Sequence, residues 1–251
     1  MPTTLITGAS AGLGAEMARQ LAAKGEDLAL CARRTDRLEE LRTEILAAHP
    51  GRRVEIRALD VDDHEAVFAV VRAFRADLGT LDRVIVNAGV GKGAPLGTGG
   101  FAANKQTATT NFVSALAQVE AAMEVFRDQR AGHLVVISSM SAMRGLPKTV
   151  TTYAASKVAI AHLAEGLRTE LHGTPLQRTV QVSVLYPGYI ASEMNENVAR
   201  TPLMSSTEKG VRAMVAAIEK RVDSACVPAL PWAPLSVVMK HAPLPLFKRL
   251  I

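Results

Sequence analysis

A tyrosine and a lysine stand four residues apart in the segment Tyr153-Ala154-Ala155-Ser156-Lys157. At that spacing both side chains lie on one face of a helix. A free tyrosine has a pKa of about 10, which makes it a poor acid–base catalyst near neutral pH. A neighbouring ammonium group favours the phenolate, so we expect Lys157 to lower the pKa of Tyr153. The pair is a candidate for proton transfer, although the same spacing is also common for a surface Tyr and Lys that do no chemistry.

A glycine-rich turn follows the first apolar run, with the sequence Thr7-Gly8-Ala9-Ser10-Ala11-Gly12-Leu13-Gly14. Its glycines allow the backbone to turn tightly and bring the start of the next helix close to a pyrophosphate. The alternative interpretation is an ordinary turn with close helix packing. A Walker-type phosphate loop is excluded because no Gly-Lys-Ser or Gly-Lys-Thr occurs in the chain. The turn therefore favours a dinucleotide site.

The end of the second apolar run reads Cys31-Ala32-Arg33-Arg34. A carboxylate at this place would hydrogen-bond a ribose 2′-hydroxyl, and none is present to repel a 2′-phosphate. The guanidinium of Arg33 offers a planar fork of donors that suits a phosphate, with Arg34 beside it. The alternative is a solvated pair of arginines at a helix start. The pattern predicts NADP(H) rather than NAD(H).

Short apolar runs alternate with longer segments of helical period along most of the chain. Strands joined by crossover helices are parallel, and right-handed crossovers place helices on both faces of the sheet. We therefore expect an α/β fold, a three-layer, doubly wound parallel sheet of Rossmann type with about seven strands. The predicted strands are 4–6, 28–31, 54–58, 84–86, 134–137, 180–185 and 225–227, and the predicted helices lie near 12–24, 36–48, 64–78, 103–130, 153–171 and 207–221.

The length of 251 residues suits one α/β domain, so we expect a single NAD(P)-binding domain over 1–251. Irregular stretches fall at 89–100, 140–152 and 188–206. Loops that follow parallel strands gather at one edge of the sheet, where ligands bind. We expect these three loops to frame one site.

The substrate loop 188–206 and the tail 228–251 are both apolar. In the tail, packing on its own domain or on a neighbouring subunit is favoured over a flap above an apolar substrate. Loose contact with a membrane surface is a third alternative. The loop residues that suggest an apolar substrate are Met194, Val198, Leu203 and Met204.

Ile137-Ser138-Ser139 stands at a predicted strand end before the Tyr153 segment. Together with the glycine turn, this order of motifs resembles the classical short-chain dehydrogenase/reductase family, from Thr7 to about Ser192. The resemblance implies an oxidoreductase that transfers a hydride between NADP(H) and a carbonyl or secondary alcohol substrate. It also implies a homodimer or homotetramer formed through the helices predicted at 103–130 and 153–171.

The resemblance implies a role for individual side chains. Tyr153 would donate or accept the proton, and Ser139 would hydrogen-bond the substrate oxygen. Lys157 would also hold the nicotinamide ribose, and Asn111 would hold a water in the proton relay. With the two arginines, the residues expected at the cofactor are Gly8, Ser10, Gly12, Leu13, Gly14, Arg33, Arg34, Asp60, Val61, Asn87, Ala88, Gly89, Tyr153, Lys157, Pro187, Gly188, Ile190 and Ser192.

Three groups of these residues have a specific place in the resemblance. Asp60 and Val61 would contact adenine, and Asn87-Ala88-Gly89 would support the sheet and line a ribose. The segment from Pro187 to Ser192 would form the nicotinamide side, with backbone groups of Ile190 facing the carboxamide. Ser192 stands where the family usually has threonine.

The sequence also departs from the family pattern. The stretch from Ser139 to Tyr153 is one residue longer than usual, which leaves Ser138 or Ser141 as alternatives for the substrate oxygen. A loop insertion near Lys148 would absorb the difference. Position 11 is alanine where many NADP-dependent relatives carry a basic residue, so the 2′-phosphate would depend mainly on Arg33 and Arg34.

Composition disfavours other classes of protein. The net charge is +5, but the basic residues are scattered and aromatic residues make up only 4%, so we expect no nucleic-acid partner. The two cysteines, Cys31 and Cys226, fall in predicted buried strands, which indicates a reducing compartment. No signal peptide and no apolar run long enough to span a bilayer are seen, and we expect a cytoplasmic protein.

No metal is predicted, because no histidine lies at a metal-binding spacing. All six histidines are interpreted as surface or element-end residues: His49, His64, His133, His162, His172 and His241.

Two rival functions are considered. An epimerase or dehydratase uses the same tyrosine and lysine but usually needs more C-terminal architecture than this chain has. An NADPH-binding sensor or scaffold without turnover is a rival from another class, and the complete set of Ser139, Tyr153 and Lys157 argues against it.

Overall fold

A computed structural model describes residues 1–91, 93–193 and 203–250, with side chains described as far as Lys248. Within these residues the chain forms one seven-stranded sheet in the order β3-β2-β1-β4-β5-β6-β7, and all neighbouring strands are parallel. The strands are β1 Thr3–Thr7, β2 Asp27–Ala32, β3 Val54–Ala58, β4 Arg83–Val86, β5 Gly132–Ile137, β6 Val180–Pro187 and β7 Ser224–Val227. The helices are α1 Gly12–Ala23, α2 Thr35–Ala48, α3 His64–Leu78, α4 Phe101–Ala108, α5 Ser114–Gln129, α6 Thr151–Leu171, α7 Thr207–Glu219, α8 Ala229–His241 and α9 Leu244–Leu250.

The sheet is buried on both faces, which is why its strands read as continuous apolar runs. Successive residues of a strand point to opposite faces, so Leu5 and Ile6 of β1 belong to two different clusters of buried side chains. Helices α3, α5 and α6 contribute to the cluster around Leu5, and helices α1, α2 and α7 to the cluster around Ile6. The predicted three-layer, doubly wound α/β fold is confirmed.

The predicted strands are confirmed to within two residues at each end, but the helix predicted over 103–130 is wrong in detail. It consists of α4, a π-helical turn at Thr109–Val113, and α5. The extra residue of a π turn does not disturb the hydrophobic period enough to be visible in sequence. The tail forms α8 with a non-helical residue at Leu230, and then α9.

The strand order reverses between β1 and β4, so the crossovers on either side of this point run to opposite edges of the sheet. Such a switch point opens a crevice at the carboxyl ends of the two strands. Here β1 leads into the turn at Gly8 and β4 leads into Asn87, so the fold brings two of the predicted motifs to this crevice.

His133 corrects the prediction that all histidines are surface or element-end residues, because it lies in β5 and is fully buried. Its Nδ1 accepts a hydrogen bond from Nε of Arg83 at 3.3 Å, and its Nε2 lies 2.8 Å from Oγ of Ser183. Burial, together with the charges of Arg83 and Arg221, lowers the pKa of His133 to about 3. The imidazole is therefore neutral at physiological pH and carries its proton on Nε2.

The same arginine forms a buried ion pair across the amino-terminal half of the sheet. Nη1 of Arg83 donates to both carboxylate oxygens of Glu26, at 2.7 and 2.8 Å, and Thr4 donates a further hydrogen bond to Glu26. The polar chain thus runs from β1 through β4 and β5 to Ser183 of β6. A buried pair of this kind adds little net stability, but removing one partner leaves an uncompensated charge.

We predict that Glu26→Gln destabilises the protein by about 3–5 kcal/mol, because Arg83 stays buried without its counter-charge. Glu55→Gln is the matched control, since Glu55 pairs with Arg53 at the surface and its loss changes stability by less than about 1 kcal/mol. Urea unfolding followed by circular dichroism measures both variants. Equal destabilisation by the two substitutions would show that the buried ion pair contributes no more to the free energy of unfolding than the surface pair does.

Candidate functional site

The glycine turn after β1 is built for close approach of the backbone. Gly8 and Gly12 have φ values of +65° and +55°, a region that side chains with a Cβ rarely adopt. A Cβ on Gly14 would collide with the carbonyl oxygen of Gly8. Helix α1 begins after Ala11 with no side-chain cap and no acidic residue in its first turn. Its amino-terminal N–H groups are therefore available to an anion, with the helix dipole favouring negative charge.

The segment after β4 lies directly against this turn. Nδ2 of Asn87 donates to the carbonyl oxygen of Thr7 at 2.9 Å, and the backbone N–H groups of Asn87 and Ala88 donate to Oγ1 of Thr7 at 3.1 Å each. A Cβ on Gly89 would lie 3.0 Å from Oδ1 of Asn111 and 3.4 Å from Nζ of Lys157. The Asn-Ala-Gly motif thus joins the glycine turn to the predicted catalytic residues.

Lys157 and Tyr153 face the same space at the start of α6. Nζ of Lys157 lies 5.8 Å from the centre of the Tyr153 ring and donates to the carbonyl oxygen of Ile137 at 3.0 Å. In return, Oγ of Ser138 donates to the carbonyl oxygen of Lys157 at 2.7 Å. Two hydrogen bonds therefore connect the end of β5 to α6 and orient the lysine side chain toward the crevice.

The expected effect of Lys157 on the pKa of Tyr153 is not found. Burial raises the pKa of Tyr153, and only the hydrogen bond from Ser139 opposes this. Lys157 is itself buried, and burial lowers its pKa to about 8 from the usual 10.5. The prediction of a lowered tyrosine pKa was therefore wrong, because burial favours the neutral phenol and the group that opposes it is Ser139 rather than Lys157.

Ser139 is the serine that meets Tyr153. Its backbone is extended, its Oγ accepts a hydrogen bond from the N–H of Ser141 at 3.1 Å, and its hydroxyl acts to lower the pKa of Tyr153. The alternative Ser138 is occupied by the bond to Lys157. Oγ of Ser141 is buried without a partner in the described part of the chain. Lys148, near which the extra residue was expected, has a φ of +61° and begins a short helical turn.

Asn111 lies in the π-helical turn and is 1% exposed. Its Oδ1 accepts from the N–H of Val90 at 2.8 Å, and its Nδ2 donates to the carbonyl oxygen of Val90 at 2.9 Å and to Oγ of Ser156 at 3.3 Å. Single π turns within helices are frequent at functional sites, because the extra residue redirects a side chain. The turn places the amide beside Gly89 and Lys157.

Sequence reasoning missed two side chains that hold this arrangement. Oδ2 of Asp62 accepts a hydrogen bond from Thr110 in the π turn at 2.9 Å, and its Oδ1 accepts one from Ser114, directly after the turn, at 2.7 Å. Asp62 therefore stabilises the turn through both carboxylate oxygens. Ser156 connects Asn111 to the backbone of Tyr153, to which it donates at 2.8 Å. The only signal in the sequence was the clustering of Asp60, Asp62 and Asp63 after a strand.

The two predicted phosphate-binding arginines have different surroundings. Arg33 is 65% exposed and lies 3.9 Å from the carboxylate of Asp60. Nε of Arg34 donates to Oγ of Ser10 at 3.3 Å, and its Nη1 lies 3.1 Å from the carboxylate of Glu193. Arg37 also pairs with Glu193, and both arginines lower the pKa of that carboxyl group. Arg34 is thereby tied to the glycine turn, while Arg33 remains extended into solvent.

Val61 and Leu13 take mainly packing positions. Val61 is buried next to Asp60 in the cluster around Leu5, and Leu13 is partly buried in the cluster around Ile6. Cys31 is buried in β2, whereas Cys226 keeps partial exposure in β7, which differs from the buried position expected for it; both thiols are free.

The segment after β6 closes the other end of the crevice. The N–H of Gly188 donates to the carbonyl oxygen of Val227 at 3.0 Å, and Ile190 is buried against Gly210. A Cβ on Gly12 would lie 3.4 Å from Cβ of Ser192, so Ser192 reaches the glycine turn. Pro187 ends β6. The predicted loop residues Met194 and Val198 lie outside the described residues, whereas Leu203 and Met204 lie within them.

The tail packs onto this end of the site. Trp232 is 4% exposed, covers Gly188, and meets the ring of Tyr189 edge-on at 5.7 Å between ring centres. Arg144 donates to the carbonyl oxygens of Met239 and Ala242 and lies over the ring of Phe247, 4.8 Å from its centre. The predicted packing of the tail on its own domain is confirmed for these residues.

A doubly wound parallel sheet with an uncapped helix after a glycine turn at its switch point defines a dinucleotide-binding α/β protein. The family model for short chain dehydrogenase matches residues 2–203. An uncharacterized oxidoreductase of Mycobacterium tuberculosis is 51% identical over 245 residues, which cover 98% of this chain and 95% of the relative. The chain belongs to the short-chain dehydrogenase/reductase family of oxidoreductases, which act on CH–OH or C=O groups with a nicotinamide dinucleotide.

Solved structures agree on the fold. An alcohol dehydrogenase from the archaeon Thermococcus sibiricus, complexed with 5-hydroxy-NADP, superposes with a TM-score of 0.80 at 24% identity and covers 97% of this chain and 99% of its own. A short chain dehydrogenase/reductase from Burkholderia phymatum in complex with NAD gives 0.79 at 23% identity, with 94% and 91% covered. In the described ranges no helix is long and apolar enough to cross a bilayer.

We predict that Lys157→Met stabilises the folded chain by about 1–3 kcal/mol while it removes the site's ammonium group. A pKa lowered from 10.5 to about 8 corresponds to a cost of about 3 kcal/mol for burying the ammonium group. Lys157→Met removes this cost but also loses a hydrogen bond that contributes about 1 kcal/mol. Below pH 8 the lysine is charged in both states and the full cost acts. Between pH 8 and 10.5 the unfolded chain binds more protons, so the advantage of the variant shrinks as pH rises.

Thermal unfolding of the protein without added nucleotide, measured between pH 7 and 10, tests this prediction. Lys220→Met at the exposed end of α7 is the control and changes stability by less than about 0.5 kcal/mol at each pH. A destabilised Lys157→Met variant with no pH dependence would contradict the assigned burial cost.

Proposed function

We propose that this protein reduces a carbonyl group, or oxidises the corresponding secondary alcohol, on a small apolar molecule with NADP(H), and that Tyr153 carries the proton. One observation carries the proposal. Tyr153 and Ser139 lie close enough for the serine hydroxyl to oppose the raised pKa of the phenol, and both stand beside a buried lysine at the crevice that the glycine turn borders.

The residues present fit a dinucleotide. The positive φ values of Gly8 and Gly12 and the uncapped start of α1 leave room and N–H donors for a pyrophosphate. When bound, the nicotinamide supplies or accepts the hydride. Lys157 reaches the space next to Gly89, where its ammonium group can hold ribose hydroxyls.

The raised pKa of Tyr153 has a direct consequence for its role. Burial raises the pKa of Tyr153 and so favours the protonated phenol, whose Oη can donate to a carbonyl oxygen that gains negative charge. Oγ of Ser139 is oriented by the N–H of Ser141 and supplies a second polar contact to that oxygen. Asn111 is held by Val90 and supports the position of Lys157 from the opposite side of Gly89.

The choice of NADP(H) over NAD(H) is supported by Arg33 and Arg34. No carboxylate follows β2, and Arg34 presents its guanidinium beside Ser10 at the glycine turn. Arg33 is free to move toward a 2′-phosphate because its ion pair with Asp60 is long and exposed. The solved relatives bind an NADP derivative in one case and NAD in another, so the argument depends on these arginines.

The apolar character of the substrate is supported by the aromatic wall of Trp232 and Tyr189 at the nicotinamide end. Tyr189 is 43% exposed, so its ring faces the opening of the site. Residues 1–251 act as one domain in this proposal. A homodimer or homotetramer through α5 and α6 accords with exposed Val113 and Val158 on that side.

We predict that Tyr153→Phe lowers kcat for carbonyl reduction by about 100-fold or more, since it removes the proton donor. Fluorescence titration should show that NADPH binds within a few-fold of the wild-type affinity. The control Tyr186→Phe lies in β6 and keeps full turnover. A panel of ketones and aldehydes with NADPH provides the assay, and full activity of Tyr153→Phe, or binding of NADPH without turnover on the whole panel by the wild type, would contradict the proposal.

We predict that the wild-type protein has a kcat/KM for NADPH well above that for NADH. Arg33→Ala and Arg34→Ala should each lower the kcat/KM for NADPH by about 10- to 100-fold and leave the kcat/KM for NADH unchanged. Hydrogen bonds to a charged group contribute about 1.5–3 kcal/mol each, which gives this range. Arg42→Ala is the control, since Arg42 lies on the following helix α2 and pairs with Glu39. A preference of the wild type for NADH would refute the assignment of the 2′-phosphate site.

A further inference from the structure

The tail formed by α8 and α9 divides its apolar side chains between two sides. Trp232 and Phe247 point inward and are at most 4% exposed. Five aliphatic side chains remain outside, each between 44% and 77% exposed, and we call them the outer tail face: Leu230, Val237, Val238, Leu244 and Leu246. Exposed aliphatic side chains concentrated in one short segment are typical of a contact site.

The charged side chains in the stretch that carries the outer tail face are all basic. No Asp or Glu occurs from Pro228 to the end of the sequence, and the last acidic residue before it is Asp223. The same stretch contains Lys240, Lys248 and Arg249 as well as His241. Lys240, His241 and Lys248 are exposed. Exposed aliphatic side chains and cations therefore occur together in a stretch of the chain without Asp or Glu.

The face is held in place by the domain beneath it. Arg144 binds the carbonyl oxygens at the end of α8 and the ring of Phe247, and Trp232 lies on Gly188. These contacts use the inward side of the tail only. The fold thus fixes the two helices while leaving these aliphatic side chains between 44% and 77% exposed.

We propose that the outer tail face lies on an anionic lipid surface. Interfacial helices bind with aliphatic side chains at the level of the acyl chains and with lysines near the headgroups. Each Lys or Arg near an anionic membrane contributes about 1 kcal/mol of attraction. The proposal does not depend on the reaction assigned above, since it uses none of the residues of the crevice.

A second copy of the chain is a poorer occupant of this face. A two-fold interface presents the same patch on both partners, so the cations would meet each other with no acidic group between them. A spanning role is also disfavoured, because α8 and α9 are short and contain Pro231, Pro234 and Pro245. The tail lies parallel to the membrane in this proposal, with Tyr189 and the opening of the site close to it.

Co-sedimentation of the full-length protein with lipid vesicles tests the proposal. One set of vesicles contains phosphatidylcholine only, and the other contains equimolar phosphatidylcholine and phosphatidylglycerol. We expect binding to the mixed vesicles at least tenfold stronger than to the neutral ones, with a loss at high salt because charges are screened. NADPH binding is measured in parallel as evidence that each protein is folded.

Two variants identify the face. Lys240→Gln/Lys248→Gln should weaken binding to mixed vesicles by about 30-fold, at about fivefold for each lysine. The matched control Lys209→Gln/Lys220→Gln removes two exposed lysines from α7 and leaves binding unchanged. Val237→Ser/Leu244→Ser should weaken binding to the mixed vesicles, while Val158→Ser on α6 should not.

Three results would overturn the proposal. The first is the absence of binding to either kind of vesicle by folded wild-type protein, and the second is equal binding to both kinds. The third is self-association in sedimentation velocity that Val237→Ser/Leu244→Ser abolishes, which would assign the face to a second copy of the chain. Loss of NADPH turnover in any of these variants concerns the proposed reaction and leaves the vesicle result to be judged separately.

Discussion

A buried ammonium group is the constraint around which the crevice is organised. Lys157 is kept from water although burial lowers its pKa to about 8, and the backbone carbonyl of Ile137 is its main hydrogen-bond acceptor. An unpaired cation in this position disfavours folding, so the surrounding fold must over-determine it. It does so through Ser138, which binds the backbone of the same lysine, and through the long helix α6. A buried ionisable group with a strongly shifted pKa is typical of functional sites.

The second requirement is a close approach of backbones at the switch point of the sheet. Gly8, Gly14 and Gly89 each occupy a place where a Cβ would meet another backbone or a functional side chain. Asn87 and Thr7 hold the ends of β1 and β4 together on the same side. The crevice therefore depends on the absence of side chains at three positions as much as on the presence of Tyr153 and Lys157.

The tail forms a boundary of the site that the sheet itself does not provide. Trp232 covers the loop after β6, and Arg144, which lies five residues after Ser139, fastens α8 and α9 above it. Arg144 thus links the segment after Ser139 to the inward side of the tail.

The sequence by itself determined the α/β alternation, the parallel sheet and the residues that meet at its edge, because these follow from local periodicity and from motifs with fixed spacing. It did not reveal the π turn that orients Asn111 or the hydrogen bonds of Asp62 to that turn. Nor did it reveal the buried hydrogen-bond network of His133, Arg83 and Glu26. Those features join residues far apart in the chain, and no local pattern encodes them. The direction of the Tyr153 pKa was likewise decided only by the tertiary structure, since spacing reports a neighbouring charge but burial sets how much water remains to stabilise it.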